Sequence, residues 1–321
     1  MSRSMHRERG LTLVELLVAL TIGLVITLAA SALYLATRET ARSVQAIGDI
    51  NETGKIALDM IGREIQKAGF FPAQFASTTS DRIIGSYYNG KAGAKPIFDT
   101  GIAGCDGAAY DPTAKACASA GAGTPPDGIV LNYFATPEFG ATSLLGNAND
   151  CNRQPVSNDA DNTARAAAGT PLFVSNRFSL VASSYTGPDG VTISTKSLAC
   201  QGNGADTAAA QPMLMGVEDM VIRYGIYSTD TSQSPDKFLS AAGINGQGLV
   251  GTKTPWQRVT AVKVCVLIRS LDSARQEDKS TAKRTYRDCR NTDVTPPASD
   301  RFIHKRFERI YAVRNNLNDI L

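Results

Sequence analysis

The chain has 321 residues with 33 basic and 30 acidic side chains, a formal charge of +3, and enough length for a sizeable core. Without its first ten residues, which hold three arginines and one glutamate, 30 basic side chains face 29 acidic ones. So even a balance provides no global drive toward nucleic acid.

The first predicted element is an apolar run from Leu11 to Ala36, with Glu15 as its single charged side chain and no proline. About twenty apolar residues suffice to span a bilayer as a helix. Arg3, Arg7 and Arg9 precede the run, which predicts a cytoplasmic N-terminus and a remainder on the outer side of an inner membrane. A cleaved secretory signal is the competing reading, with "ASA" at Ala30–Ala32 imitating a cleavage site. The run exceeds the usual apolar core of such a signal. An uncleaved anchor leaves Glu15 unexplained, because a carboxylate at the bilayer centre costs about 2.5–3.5 kcal/mol. A tolerated glutamate near the membrane interface is the plainer alternative.

"RG-LTLVELLVAL" resembles the class III leader of type IV pilins and pseudopilins: a short basic leader, a glycine, then an apolar helix with glutamate as its fifth residue. Gly10 matches the glycine before the scissile bond, Leu11 the first mature residue and Glu15 the fifth. The family usually has phenylalanine where this chain has Leu11. The resemblance implies that a prepilin peptidase cuts after Gly10 and methylates the new amine of Leu11. It also implies that Glu15 accepts the amine of a neighbouring subunit, which offsets the cost of the charge in lipid and sets the register of assembly. The implied partners are other minor pilins and the major pilin, met through the N-terminal helix, together with the inner-membrane assembly platform and a tip adhesin.

The helical pattern continues beyond the apolar run. Val44, Ile47, Gly54, Leu58, Ile61, Ile65 and Ala68 recur at helical spacing and draw one apolar stripe. Gly69 suits a C-terminal cap and Pro72 ends the element. An unbroken helix from Leu11 to Ala68 is a rod of about 85 Å at 1.5 Å per residue. Gly23, Gly48, Gly54 and Gly62 are its weak points, each costing up to about 1 kcal/mol against alanine.

Downstream the pattern turns to strands. "GIVLNYF" (Gly128–Phe134) is a strand candidate, and "RFSLVASSY" and "VTISTKSLAC" flank "TGPDG" as a hairpin. "GVEDMVIRYGIYS" sets Met220, Ile222, Tyr224 and Ile226 on one face. "VTAVKVCVLIRS" does the same for Val262, Val264, Val266 and Ile268, with Lys263, Cys265 and Arg269 opposite. "RFERIYAVRNNL" reads as the final strand. Residues 92–170 are rich in Gly, Ala, Asp, Asn, Pro and Thr and read as long surface excursions. The last three strands resemble, in order, head strands of PilW-type minor pilins. The expected fold is α+β and pilin-like, a long helical spine packed on a mainly antiparallel head. Its parts are a leader (1–10), a transmembrane half-spine (11–36), an amphipathic half-spine (37–69) and a β-rich periplasmic or extracellular head (70–321).

Six cysteines lie in the head: Cys105, Cys117, Cys151, Cys200, Cys265 and Cys289. An even count on the oxidising side of a membrane favours disulfides, with fifteen connectivities open to six cysteines. Pairing each with its neighbour suggests Cys105–Cys117, Cys151–Cys200 and Cys265–Cys289. A zinc site finds no support, since no C-x-x-C occurs and one histidine remains after the leader.

No nucleophile elbow, zincin or phosphate-loop motif is present, so no enzyme, cofactor or metal is expected. His304 reads as a strand surface residue. "SNDADNTA" (Ser157–Ala164) lacks the glycine and closing glutamate of a calcium loop and reads as a solvated acidic loop. Lys253–Arg314 carries 15 basic and 7 acidic side chains, read as a solvated sheet face rather than a DNA-binding patch. Three function classes remain: a minor pilin that primes or caps a type IV pilus, a type II secretion pseudopilin, and a tip-displayed adhesive or DNA-binding module.

Overall fold

The computed structural model describes residues 12–70, 101–112, 114, 116–119, 125–135, 149–156, 162–163, 171–187, 190–204, 209–229, 233–251, 253–271, 285–297, 300 and 302–316. One helix, α1 (Leu13–Lys67), runs for 55 residues from the N-cap Thr12. Its end is stitched to the head: Ala68 N–H donates to the carbonyls of Glu64 and Ile65, and Gly69 N–H donates to the Asn132 carbonyl at 2.9 Å.

Two antiparallel sheets follow. The first sheet, in spatial order, holds β1 (Ile102–Cys105), β4 (Gly128–Phe134), β5 (Phe173–Thr186), β6 (Thr192–Gln201) and β7 (Gln211–Met215). The second runs β13 (His304–Ala312), β10 (Val259–Arg269), β8 (Val217–Ile226) and β9 (Lys237–Leu239). Two small ribbons, β2 (Tyr110–Asp111) with β3 (Ala116–Cys117) and β11 (Tyr286–Arg287) with β12 (Asp293–Val294), and a short helix α2 (Ala241–Asn245) complete the elements used below. The β5–β6 hairpin is paired from Arg177↔Gln201 to Thr186↔Thr192, and its turn closes through Gly187 N–H to the Val191 carbonyl.

A shared core joins the spine to both sheets. Ile50, Ile61 and Ile65 of α1 meet Ile129 and Leu131 of the first sheet and Val262, Val264, Val266 and Ile268 of the second. Each such side chain contributes about 1.5–3 kcal/mol on burial. The alternation read in β8 and β10 is the one that packs: Met220, Ile222, Tyr224 and Ile226 are all buried in this core. Cys265 and Leu267 face the opposite side, where Val221 and Cys289 form a second cluster.

The structure corrects three expectations. The stripe that packs on the head includes Ala46, Ile50, Ala57 and Gly62, whereas Val44 (65% exposed) and Ile47 (45%) stay in solvent. Residues 92–170 are not wholly surface: β1 is buried along its length, and Ala103, Cys105, Ala108 and Tyr110 build a cluster with Val130. Gly54 and Gly62 are not weak points but notches. A Cβ on Gly54 would meet the Phe307 ring at 2.4 Å, and one on Gly62 the Tyr311 ring at 2.2 Å. The terminal strand β13 thus presses two aromatic rings against the spine backbone, and Tyr311 Oη donates to the Leu58 carbonyl at 2.6 Å.

Candidate assembly site

The head leaves the first part of α1 uncovered: residues 12–42 are exposed throughout. The helix contains a window of mean hydropathy 2.5, long and apolar enough to cross a membrane. The hydroxyls within it serve their own helix. Thr21 Oγ1 donates to the Val18 carbonyl at 2.9 Å, Thr27 Oγ1 to Gly23 at 3.0 Å and Leu24 at 2.9 Å, and Ser31 Oγ to Thr27 at 2.7 Å. Such self-service is what hydrocarbon demands, because no water is there to meet an unpaired group.

Glu15 sits in the first turn of this segment. Thr12 is extended (φ −76°, ψ 152°) and caps the helix in a reciprocal box with Glu15. Thr12 N–H donates to Glu15 Oε2 at 2.9 Å, Thr12 Oγ1 donates to the same oxygen at 3.0 Å, and Glu15 N–H donates back to Thr12 Oγ1 at 3.3 Å. A carboxylate in the first turn also complements the helix dipole. Thr12 escaped the sequence reading, although T-x-x-E ahead of an apolar run is the pattern of this box. Gly10 and Leu11 lie outside the described residues, so the structure does not place them beside Glu15.

Among the described residues of the head, the cysteines are committed to structure. Three disulfides join Cys105 to Cys117, Cys151 to Cys200 and Cys265 to Cys289, and no described cysteine is free. Asp150 Oδ1 accepts the N–H groups of Asn152 and Gln154, and its Oδ2 accepts that of Gly204, beside the Cys151–Cys200 bridge. Of the acidic stretch Ser157–Ala164, only residues 162 and 163 are described. Asn162 is fully buried, with its amide spent on Val156 and Phe173 backbone groups. Among the described residues no His, Cys, Asp or Glu group has the makings of a metal site.

His304 is not the surface residue that its strand suggested. Its side chain is 7% exposed, 3.9 Å from Asp300, and stacks on Tyr286 with ring centroids 4.5 Å apart. Burial holds its pKa below the ordinary 6.5, and Arg269 pushes the same way against Asp300 and Glu218. In the basic stretch 253–314, Lys263, Arg269, Arg287, Arg290 and Arg306 all pair with carboxylates, and buried Arg258 donates to the carbonyls of Tyr227 and Gly248. Charge spent in this way is poorly suited to phosphates.

A helix half-buried in a head and half bare, capped at a carboxylate, defines a pilin-like subunit. The prokaryotic N-terminal methylation motif matches residues 5–31, and the family described as Type IV Pilus-assembly protein W matches residues 180–315. The two matches support a type IV pilin-like protein with a class III leader, and the later part of its head is similar to that of a PilW-type minor pilin. No curated protein and no solved structure matches it. Pilins are structural subunits, and this likeness suggests components of the pilus as partners.

Proposed function

We propose that this minor pilin primes assembly of a type IV pilus and then sits at or near its tip. A prepilin peptidase removes the leader after Gly10 and methylates Leu11, while the head waits on the periplasmic side of the inner membrane. The subunit then joins other minor pilins and the major pilin through its bare half-spine. The observation that carries this reading is the uncovered apolar half of α1 with its one carboxylate, Glu15, at the helix start. An apolar surface of that extent needs lipid before assembly and neighbouring helices after it. The match of the head to the PilW family supports a pilus rather than a secretion assembly.

N-terminal sequencing of the protein recovered from membranes tests the reading. The expected first residue is N-methylated Leu11. A mature chain that starts near Ser31 or Ala32 reports ordinary signal-peptidase cleavage and removes the basis of the proposal.

A further inference from the structure

Strand β13 closes one end of the second sheet, and its outer side meets no other strand among the described residues. Val313 N–H donates to the Thr260 carbonyl, and antiparallel pairing alternates from there. Arg309 and Tyr311 therefore turn their backbone groups toward β10, whereas Glu308, Ile310 and Ala312 turn theirs outward. Among the described residues these three have no backbone partner on that side. An edge left with open donors and acceptors is a template for an added strand.

Beside this edge a cleft of about 230 Å³ runs between β13 and α1, lined by Asp59, Arg63 and Gln66 of the helix and by Arg309, Ile310 and Arg314 across from it. Asp59 and Arg63 neutralise each other at 2.6 Å. Arg309 and Arg314 pair with no carboxylate among the described residues, unlike the five paired cations of the same stretch. Arg309 lies with its guanidinium 5.6 Å from the centroid of the Tyr311 ring, and that ring is anchored by its hydroxyl to the Leu58 carbonyl. Two uncompensated positive charges thus flank an open β edge, beside an Ile310 side chain that is 56% exposed.

We infer that this edge docks an acidic, extended segment of a different pilus subunit, which adds to β13 as a strand and sets a carboxylate on Arg309 and Arg314. The inference rests on the proposed place of the chain in a pilus. Backbone bonds to Ile310 and Ala312 supply the pairing, and the planar guanidinium groups select the carboxylate. A second copy adding its own β13 brings the same arginines face to face, and like charges disfavour that pairing. Lipid headgroups are out of reach: Asp59 follows Ala36, where the apolar run ends, by 23 residues, about 35 Å along the helix. Nucleic acid is held by rows of cations along its phosphates, and two arginines beside a cleft of this size do not form one.

A photo-cross-linking residue in place of Ile310 tests the site, in the full-length chain and in cells without the wild-type copy, with the attached peptide identified by mass spectrometry. The expected product joins position 310 to an acidic segment of another pilus subunit. In the Arg309→Glu/Arg314→Glu background its yield should fall at least about tenfold, the lower end of what a hydrogen bond to a charged group is worth. Ala312→Pro removes an outward N–H and takes no bond from the β10 ladder; it should lower the yield about fivefold. Variants are compared at equal amounts of leader-cleaved protein that titrates no free thiols, so a misfolded head does not pass for lost docking. A partner segment without carboxylates, a product with a second copy of this chain, or full yield in the double arginine variant overturns the inference. Cross-linking to lipid or nucleic acid alone does the same. No product from protein present in sheared filaments overturns the docking site and leaves the pilus reading standing, whereas no product from protein absent from filaments overturns both.

Discussion

Gly62→Ala sets two effects of opposite sign against each other. Alanine is the better helix former by up to about 1 kcal/mol and also restricts the unfolded chain. Against that, the new Cβ would stand 2.2 Å from Tyr311 Cε1, 2.5 Å from Cζ and 2.9 Å from Cδ1. The ring cannot step aside freely. Tyr311 is 7% exposed, its hydroxyl is bound to the Leu58 carbonyl, and its backbone lies opposite Val262 in β10. Forcing a methyl group into a filled site costs about 1–3 kcal/mol, and tearing the hydroxyl from its carbonyl adds about 1 kcal/mol. The steric loss wins, for a net destabilisation of about 1–3 kcal/mol. In a soluble fragment beginning at Thr37, that should lower Tm by about 3–10 °C for a domain of this size. Gly48→Ala is the control, because a Cβ there meets nothing within 4 Å. It should raise Tm by about 2–4 °C through helix propensity alone. Thermal unfolding followed by circular dichroism reads both. A Gly62→Ala fragment as stable as wild type would refute the reasoning, and so would an undiminished loss when Tyr311→Leu has already removed the ring.

Two further outcomes follow from the head. Denatured without reductant, the soluble fragment should titrate no thiols, since all six cysteines are paired; a titre of two or more contradicts the pairing. Substituting Cys265 and Cys289 together by serine should cost about 2–5 kcal/mol in urea unfolding, because that bridge ties the β11–β12 ribbon to the back of β10. His304 sets a pH dependence. Its folded-state pKa lies below the ordinary 6.5, so its contribution is present above about pH 6.5 and is lost as pH falls through the lower folded value. His304→Phe should flatten that acid-side slope of Tm while leaving the neutral-pH value within a few degrees. An unchanged slope would assign it to the neighbouring carboxylates instead.

The long elements were legible because each carries its own period. Fifty-five helical residues, the β5–β6 hairpin around its glycine-rich turn, and the alternation of β8 and β10 all state their conformation locally. The missed strands are short and chemically mute. β1 reads Ile-Ala-Gly-Cys, and only its pairing with Gly128–Leu131 and its burial make it a strand. The spine's face was legible in Gly54, Leu58, Ile61, Ile65 and Ala68, which are buried, but not its start, since Val44 and Ile47 stay exposed. Nothing in a helical period says where along the rod the head begins to cover it. His304 looked exposed by alternation, but the ribbon that covers it is delivered by the distant Cys265–Cys289 link.

Glu15 and the two helix glycines, all on α1, illustrate the same limit at very different sequence separations from their partners. A carboxylate in an apolar run and a glycine in a helix each look like a local defect costing a kilocalorie or more. The partner of Glu15 stands three residues upstream, so the sequence already contained the cap, hidden by the expectation that the charge served only a neighbour. The partners of Gly54 and Gly62 are Phe307 and Tyr311, which arrive some 250 residues later. Only folding shows that the absent side chains are what lets β13 lie close enough for a tyrosine hydroxyl to reach a helix carbonyl. Strand β13 therefore fastens α1 to the head. The spine is packed on the head from Ala46 onward and exposed over residues 12–42, the division that the proposed entry into a filament by its helix would use.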